Sequence, residues 1–496
     1  MDNKQKSKQI LVFGIINQIV TLLLGVLLPK FLIGGFGSEV NGLLASVKQI
    51  LVYVALLEAG VGTAALQALY GPFALNDHGK ISEIMAATDR YFRRTGFWYG
   101  GCVLLLAILY PFIFHVELEY WKVAIIIILQ GSAGVLRYLF QGKLTILLRV
   151  DGRGYITTNV QTLVTLLSYL AQIILILCGF DIISVQVAYF LTSLCQMLFI
   201  TRYVKKKYPW LNLKATPDYK ALAKSKFVII HQLSALVFNN TDIILLAYFC
   251  DLKIVSVYAI YSMIFSSVGN VIDTVCSSVE FSMGQAFNSN LKRFERIQET
   301  YETYYLALSF ALFTIALIMT PAFMGIYAGD FSDANYQDKY LPFLFCAVNI
   351  LTYARRTSSQ IINFAGAFKE TQWRSILESL INVIVSVVLV QYIGVYGVLI
   401  GTIVALLYRT NDIIIFANCK ILHRMPWQTY KRWSVNMVVM LFMVLLTYKF
   451  IPKVDSFFMW IVYAVLVSVI VLITFFVVDS LVDRKSLIAL KEIRKR

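Results

Sequence analysis

The stretch "NILTYARRTSSQIINFAG", Asn349–Gly366, sets two arginines side by side among residues that would otherwise suit a helix crossing a lipid bilayer. A guanidinium facing hydrocarbon costs at least about 3 kcal/mol, so such a pair is kept only where it meets a partner or water. Whether the stretch is a span with a polar interior, or a soluble helix, depends on its surroundings. They are apolar on both sides. The whole chain of 496 residues is 59% hydrophobic and only 15% charged, too little charge to clothe a soluble surface of that size. Long apolar runs recur, each near the ~20 residues that a helix needs to cross a bilayer.

Reading outward from Arg355, fourteen spans are predicted: 10–33, 42–66, 95–115, 122–147, 156–178, 182–203, 227–249, 254–279, 303–326, 339–364, 373–392, 397–418, 433–451 and 457–479. The basic residues test this count. With both termini and every second loop on the cytoplasmic side, that side holds Lys4, Lys6 and Lys8, the run "RYVKKKYP" (Arg202–Pro209), Lys292 and Arg293, Lys431 and Arg432, and the tail "DRKSLIALKEIRKR". The opposite loops, such as "HVELEYW" (His115–Trp121) and "GFD" (Gly179–Asp181), are short and poor in base. This positive-inside asymmetry accounts for the net charge of +16 without nucleic acid as a partner. The basic N-terminus leading into span one reads as an uncleaved first helix, since no small-residue cleavage site follows. The fold expected is an all-α polytopic membrane protein in a bacterial cytoplasmic membrane, both termini inside.

An internal repeat organises the spans. "FGIINQ" (Phe13–Gln18) opens span one and "FVIIHQ" (Phe227–Gln232) opens span seven, 214 positions later. The polar face Thr158, Gln161, Thr165 and Ser168 of span five recurs in span eleven as Ser375, Glu378, Asn382 and Ser386. Arg137 in span four stands 218 positions before Arg355 in span ten. The division this predicts is an N-lobe (1–203), a cytoplasmic linker (204–226), a C-lobe (227–418), an appended helix pair (433–479) and a basic tail (480–496). An even number of spans per lobe inserts both in the same sense. The two six-helix lobes are then related by an axis along the membrane normal, a plan of secondary transporters.

Charges inside spans mark the candidate site. Arg137, Arg355 and Arg356 lie about ten residues from the cytoplasmic helix ends, too deep for easy snorkelling. Glu58, Asp242 and Asp273 are the intramembrane carboxylates that suit proton or sodium coupling. On span eight Ser262, Ser266, Asn270, Asp273, Ser277 and Glu280 make one polar stripe. Two readings of the arginines stand side by side. They bind an anion, for which a guanidinium fork suits phosphate or carboxylate at any pH. Alternatively they serve as ion-pair partners, with Glu378 available to span ten. Arg409 and Asp412, three apart, read as a pair; Lys143 and Glu280 read as rim residues, and His231 as a helix-packing residue. The seven cysteines, without a CxxC, read as apolar filler, and four scattered histidines make no metal site. No G-x-x-x-x-G-K-[ST] loop is present, and no cofactor is expected. Transport is favoured over an enzyme.

Two stretches carry a family resemblance: "GSEVNGLLASVKQILVYVALLEAGVGTA" (Gly37–Ala64) and "GAFKETQWRSILESLINVIVSVVLVQYIGVYGVLIGTIVALLYR" (Gly366–Arg409). They resemble bacterial polysaccharide transporters, the lipid-linked oligosaccharide flippases of the multidrug/oligosaccharidyl-lipid/polysaccharide exporter superfamily. The resemblance implies two lobes around a cationic cavity that takes the diphosphate and sugars of an undecaprenyl-linked repeat unit. Alternating access then carries the headgroup outward while the tail stays in the bilayer. The cavity contacts expected are Arg137, Arg355 and Arg356 with Asn17 and Gln18, while Ser359 and Gln360 bond the glycan. Relatives that flip the peptidoglycan precursor place arginines in the first helix, where this chain has Asn17, Gln18 and, near the outer end, Lys30. The expected driving force is H+, Na+ or the membrane potential, with glycan polymerase or assembly proteins as partners. The competing expectation is an ion-coupled multidrug or cation antiporter of the same superfamily.

Overall fold

The computed structural model describes residues 3–55, 61–289, 291–448, 454 and 456–488. It is all-helical among these residues, as a chain in hydrocarbon must be, since lipid offers no partner to an unbonded peptide group. The helices are α1 (Asn3–Val54), α2 (Val61–Ala74), α3 (His78–Ile113), α4 (Tyr120–Leu136), α5 (Gly142–Val150), α6 (Gly154–Leu177), α7 (Ile182–Lys207), α8 (Lys226–Phe249) and α9 (Leu252–Ser289). They continue with α10 (Leu291–Tyr327), α11 (Leu341–Ala354), α12 (Arg356–Phe364), α13 (Phe368–Ile393), α14 (Val395–Ile415), α15 (Trp427–Tyr448) and α16 (Phe457–Val482). The described residues of the fourteen predicted spans are mostly helical; span two enters the undescribed residues 56–60 and span thirteen the undescribed residues 449–451. Among the described residues, ten helical segments are long and apolar enough by themselves to cross a membrane. The protein is therefore a multi-pass membrane protein.

The exceptions are instructive. Spans one and two run together in α1, separated only at Gly37, whose φ of 83° lies in the left-handed region that glycine enters without penalty. Span ten falls short because it is broken at Arg355, leaving α11 and α12 as two pieces. Span four stays one continuous helix but widens its register: a π-helical stretch, Arg137–Gln141, joins α4 to α5. The two arginines that the repeat pairs thus both stand where the regular α-helix is disturbed, one by a π-helical stretch and the other by a turn.

The chain forms two compact units, Met1–Ser256 and Val257–Arg496. In the first, an apolar cluster that includes Leu69, Met85, Leu147, Ile200 and Tyr208 binds α2, α3, α5 and α7 at one end. The linker after α7 folds back onto it. Trp210 stacks on His78 with ring centroids 3.9 Å apart, and the Asp218 carboxylate lies 2.9 Å from Lys80. That ammonium holds Asp218 below the usual carboxylate range.

In the second unit α13 and α14 form a tight hairpin turned at Gly394 (φ 55°). Gly397 and Gly401, spaced as G-x-x-x-G, let the backbones close: a Cβ on Gly397 would sit 2.4 Å from the Leu389 carbonyl, and one on Gly401 2.2 Å from Ser386 Oγ. Asn382 donates to Thr402 at 2.9 Å and Ser386 to the Val398 carbonyl at 3.2 Å, so the polar face of span eleven is consumed in packing. The appended pair, α15 and α16, docks on α10. Arg432 reaches Glu302 at 2.5 Å and Asp483 at 2.7 Å, and Thr429 donates to Glu302 at 2.8 Å.

Candidate functional site

Arg355 sits at the junction of α11 and α12 and turns inward. Its Nη1 donates to Glu378 Oε1 on α13 at 2.7 Å. The other Glu378 oxygen lies 3.5 Å from Arg409 Nε on α14; Arg409 also donates to Asp412 at 2.6 Å and to Ser375 Oγ at 3.0 Å. Asp412 receives Arg374 as well, whose guanidinium lies 4.9 Å above the Phe416 ring. Three guanidinium groups, including an Arg409 side chain only 8% exposed, thus share two carboxylates, leaving the cluster one positive charge in excess. Such desolvated charges are tolerable only because each meets an opposite partner. The ion-pair reading of Arg355 and of Arg409–Asp412 is what the geometry displays.

Arg356, the next residue, points elsewhere. It pairs with Asp273 on α9, and both side chains stay open, at 43% and 34% exposure. Around Asp273 the α9 stripe is exposed at Ser266, Asn270, Thr274, Ser277 and Glu280, and Asn363 on α12 is exposed too. A membrane helix cannot present that set to lipid, so this face of the second unit borders water. Ser359 is partly exposed on α12. Gln360 turns away: it is 3% exposed, and its Nε2 donates to Cys276 Sγ at 3.0 Å.

In the first unit Arg137 is exposed at the start of the π-helical stretch and makes no ion pair among the described residues. Tyr99 and Tyr189 lie within reach of its field. Asp242 on α8 is buried at 8% exposure, beside a Tyr53–Thr241 hydrogen bond of 2.7 Å that joins α1 to α8. Glu58 lies outside the described residues. Asn17 and Gln18 fall on α1, with side chains outside the described part.

Some charges differ from their sequence reading. Lys143 is not at a rim: it is 4% exposed and pairs with Asp89, because α3 extends a full four turns before the apolar run begins and brings that carboxylate opposite. Arg374 joins the buried cluster instead of standing in a loop. Lys48, six residues inside a predicted span, is a further intramembrane charge and is exposed on α1.

No family model and no curated protein matches the sequence. Solved structures do match. One described as "Lipid II flippase MurJ, inward closed conformation" aligns over 96% of this chain and 99% of its own, with a TM-score of 0.70 at 12% identity. An inward-facing multidrug resistance MATE family transporter of the MOP superfamily aligns over 82% of this chain and 95% of its own, with a TM-score of 0.66 at 16% identity. An outward-facing MATE structure gives 0.57 at 16% identity, over 85% of this chain and 97% of its own. The chain therefore has the fold of these membrane transporters.

Proposed function

We propose that the protein carries an undecaprenyl-diphosphate-linked oligosaccharide, the repeat unit of a surface polysaccharide, from the inner to the outer leaflet of a bacterial cytoplasmic membrane by alternating access. The observation that carries this reading is Arg137, exposed and without an ion pair among the described residues; Arg356, half-open on a water-bordering face, joins it once the diphosphate displaces Asp273. A diphosphate moved through hydrocarbon alone would meet a prohibitive desolvation cost, of order tens of kcal/mol for an isolated ion. Guanidinium groups bordering water lower that cost, and they stay charged at every physiological pH. The lipid tail needs no polar path. A likeness in fold to a lipid II flippase supports a lipid-linked cargo. The absence of arginine from the first helix argues for a glycan unit other than the peptidoglycan precursor.

On this reading Arg356 and Arg137 are the contact residues, and Arg355 with Glu378 and Arg409 holds the helix break that aims Arg356. Ser359 supplies a hydroxyl to the glycan. Removal of the product by glycan assembly proteins, or an H+ or Na+ gradient, drives the cycle. Reconstituted transport of a labelled lipid-linked oligosaccharide tests the reading: Arg356→Ala at unchanged abundance should lose most of the rate, and wild-type rates in that variant would overturn it.

The MATE likeness supports a second reading, ion-coupled export of cationic drugs. Asp242, almost wholly buried in the first unit, favours it. Asp273 serves it less well, since Arg356 already occupies that carboxylate. Cationic dye efflux abolished by Asp242→Asn would favour this alternative.

A further inference from the structure

α3 carries a surface that the transport reading does not use. Its apolar part, Thr95–Ile113, is 19 residues, or ~28 Å at 1.5 Å per residue, the hydrocarbon thickness of a bilayer. Arg93 and Arg94 therefore stand at the membrane boundary, on the basic side of the molecule. Beside them Phe97 and Trp98 are 73% and 63% exposed. The four side chains line a shallow, open depression on the helix surface, of about 450 Å³. Past the recess, Gly101 leaves open space where a side chain would stand, and Leu104, Leu105 and Ile108 continue the exposed face. Phe97 to Ile108 spans ~17 Å along the helix, about one leaflet.

The charge of this surface is compensated only in part. The nearby carboxylate, Asp89, is 4% exposed and already shared between Lys143 and Arg93, the latter at 2.9 Å. That contact fixes the Arg93 guanidinium without neutralising Arg94. Cation, aromatic ring, gap and aliphatic strip follow one another along α3 in the order phosphate, glycerol backbone and acyl chain follow in a phospholipid.

We propose that Arg93, Arg94, Phe97 and Trp98 form a binding site for an anionic phospholipid of the cytoplasmic leaflet, with the lipid phosphate between the arginines and an acyl chain over Gly101. The site lies within the first unit and stands whether or not the cargo is a lipid-linked glycan.

The test uses the full-length protein in phosphatidylcholine nanodiscs doped with chain-brominated phosphatidylglycerol or chain-brominated phosphatidylcholine. The Trp98 signal is the fluorescence difference between wild type and Trp98→Phe. Brominated phosphatidylglycerol should quench it several-fold more strongly than brominated phosphatidylcholine at equal mole fraction. Arg94→Gln, which leaves the Arg93–Asp89 contact intact, should weaken that preference about fivefold. The double variant Arg93→Gln/Arg94→Gln should abolish it. Equal quenching by the two lipids in the wild type, or an unchanged preference in both variants, overturns the proposal. So does displacement of the brominated phosphatidylglycerol by stoichiometric undecaprenyl diphosphate, which would give the site to a polyprenyl cargo.

Discussion

At the scale of single residues, two adjacent arginines do different work. Arg355 is 15% exposed and closes on Glu378, whereas Arg356 is 43% exposed and faces water. A turn between them, where α11 gives way to α12, makes the difference. Arg355→Ala should therefore act on stability: it strips Glu378 of the nearer of its two arginines and leaves only Arg409 at 3.5 Å, a loss of about 1 kcal/mol or more. The thermal midpoint in detergent should fall, and adding Glu378→Gln should restore much of it, because the stranded charge is gone. Arg356→Ala should leave the midpoint close to wild type while transport falls about tenfold or more; Arg356→Lys should keep part of the rate, since charge survives without the fork. The depth of these arginines was legible in the sequence, as was the Arg409–Asp412 pair at three-residue spacing. The partner of Arg356 was not, because Asp273 lies on a different helix and only tertiary packing sets their rotation. Gln360 misled for the same reason: one turn from Arg356 in sequence, it points inward to Cys276.

At the scale of elements, the α13–α14 hairpin rests on glycine. Gly401→Val would drive methyl groups into Ser386, whose nitrogen lies 2.7 Å from the position a Cβ would take. The hairpin must open to admit them, so the Asn382–Thr402 and Ser386–Val398 hydrogen bonds should weaken together. Thermal stability should drop by more than ~1 kcal/mol, the lower end of overpacking costs; an unchanged midpoint would contradict the packing described. The helix pair α15–α16 makes a separate case. Arg432→Ala leaves Glu302 and Asp483 without their shared cation, and accelerated proteolysis of the segment after α14 should report its release. Hydropathy placed its spans on helical stretches, ten of them long and apolar enough among the described residues to cross a membrane, yet misjudged where helices end, for it tracks the hydrocarbon and not the peptide hydrogen bonds. α3 begins at His78, seventeen residues before its predicted span, and that extra length is what buries Lys143 against Asp89. The turn at Arg355 left no mark in hydropathy, having neither proline nor glycine there, and the π-helical stretch Arg137–Gln141, capped by Gly142, left none either.

At the scale of the whole molecule, each of the two units holds an arginine where a regular α-helix is disturbed, 218 positions apart: Arg137 exposed at a π-helical stretch in the first, Arg355 at a turn beside the open Arg356 in the second. The cluster around Glu378 and Asp412 carries one positive charge in excess, at the 37% exposed Arg374, whereas the open α9 face sets Asp273 and Glu280 against Arg356. The likeness in fold covers transporters of both kinds, so the sign of the charge at the polar faces has to decide between them. The most direct measurement is the leaflet exchange of a fluorescent undecaprenyl-diphosphate oligosaccharide in proteoliposomes, for wild type, Arg137→Ala and Arg356→Ala side by side. The account predicts fast exchange with the wild type and, in both variants, a rate near that of empty liposomes. Exchange in the variants at the wild-type rate, or a wild type that moves cationic dye but no diphosphate lipid, would contradict it.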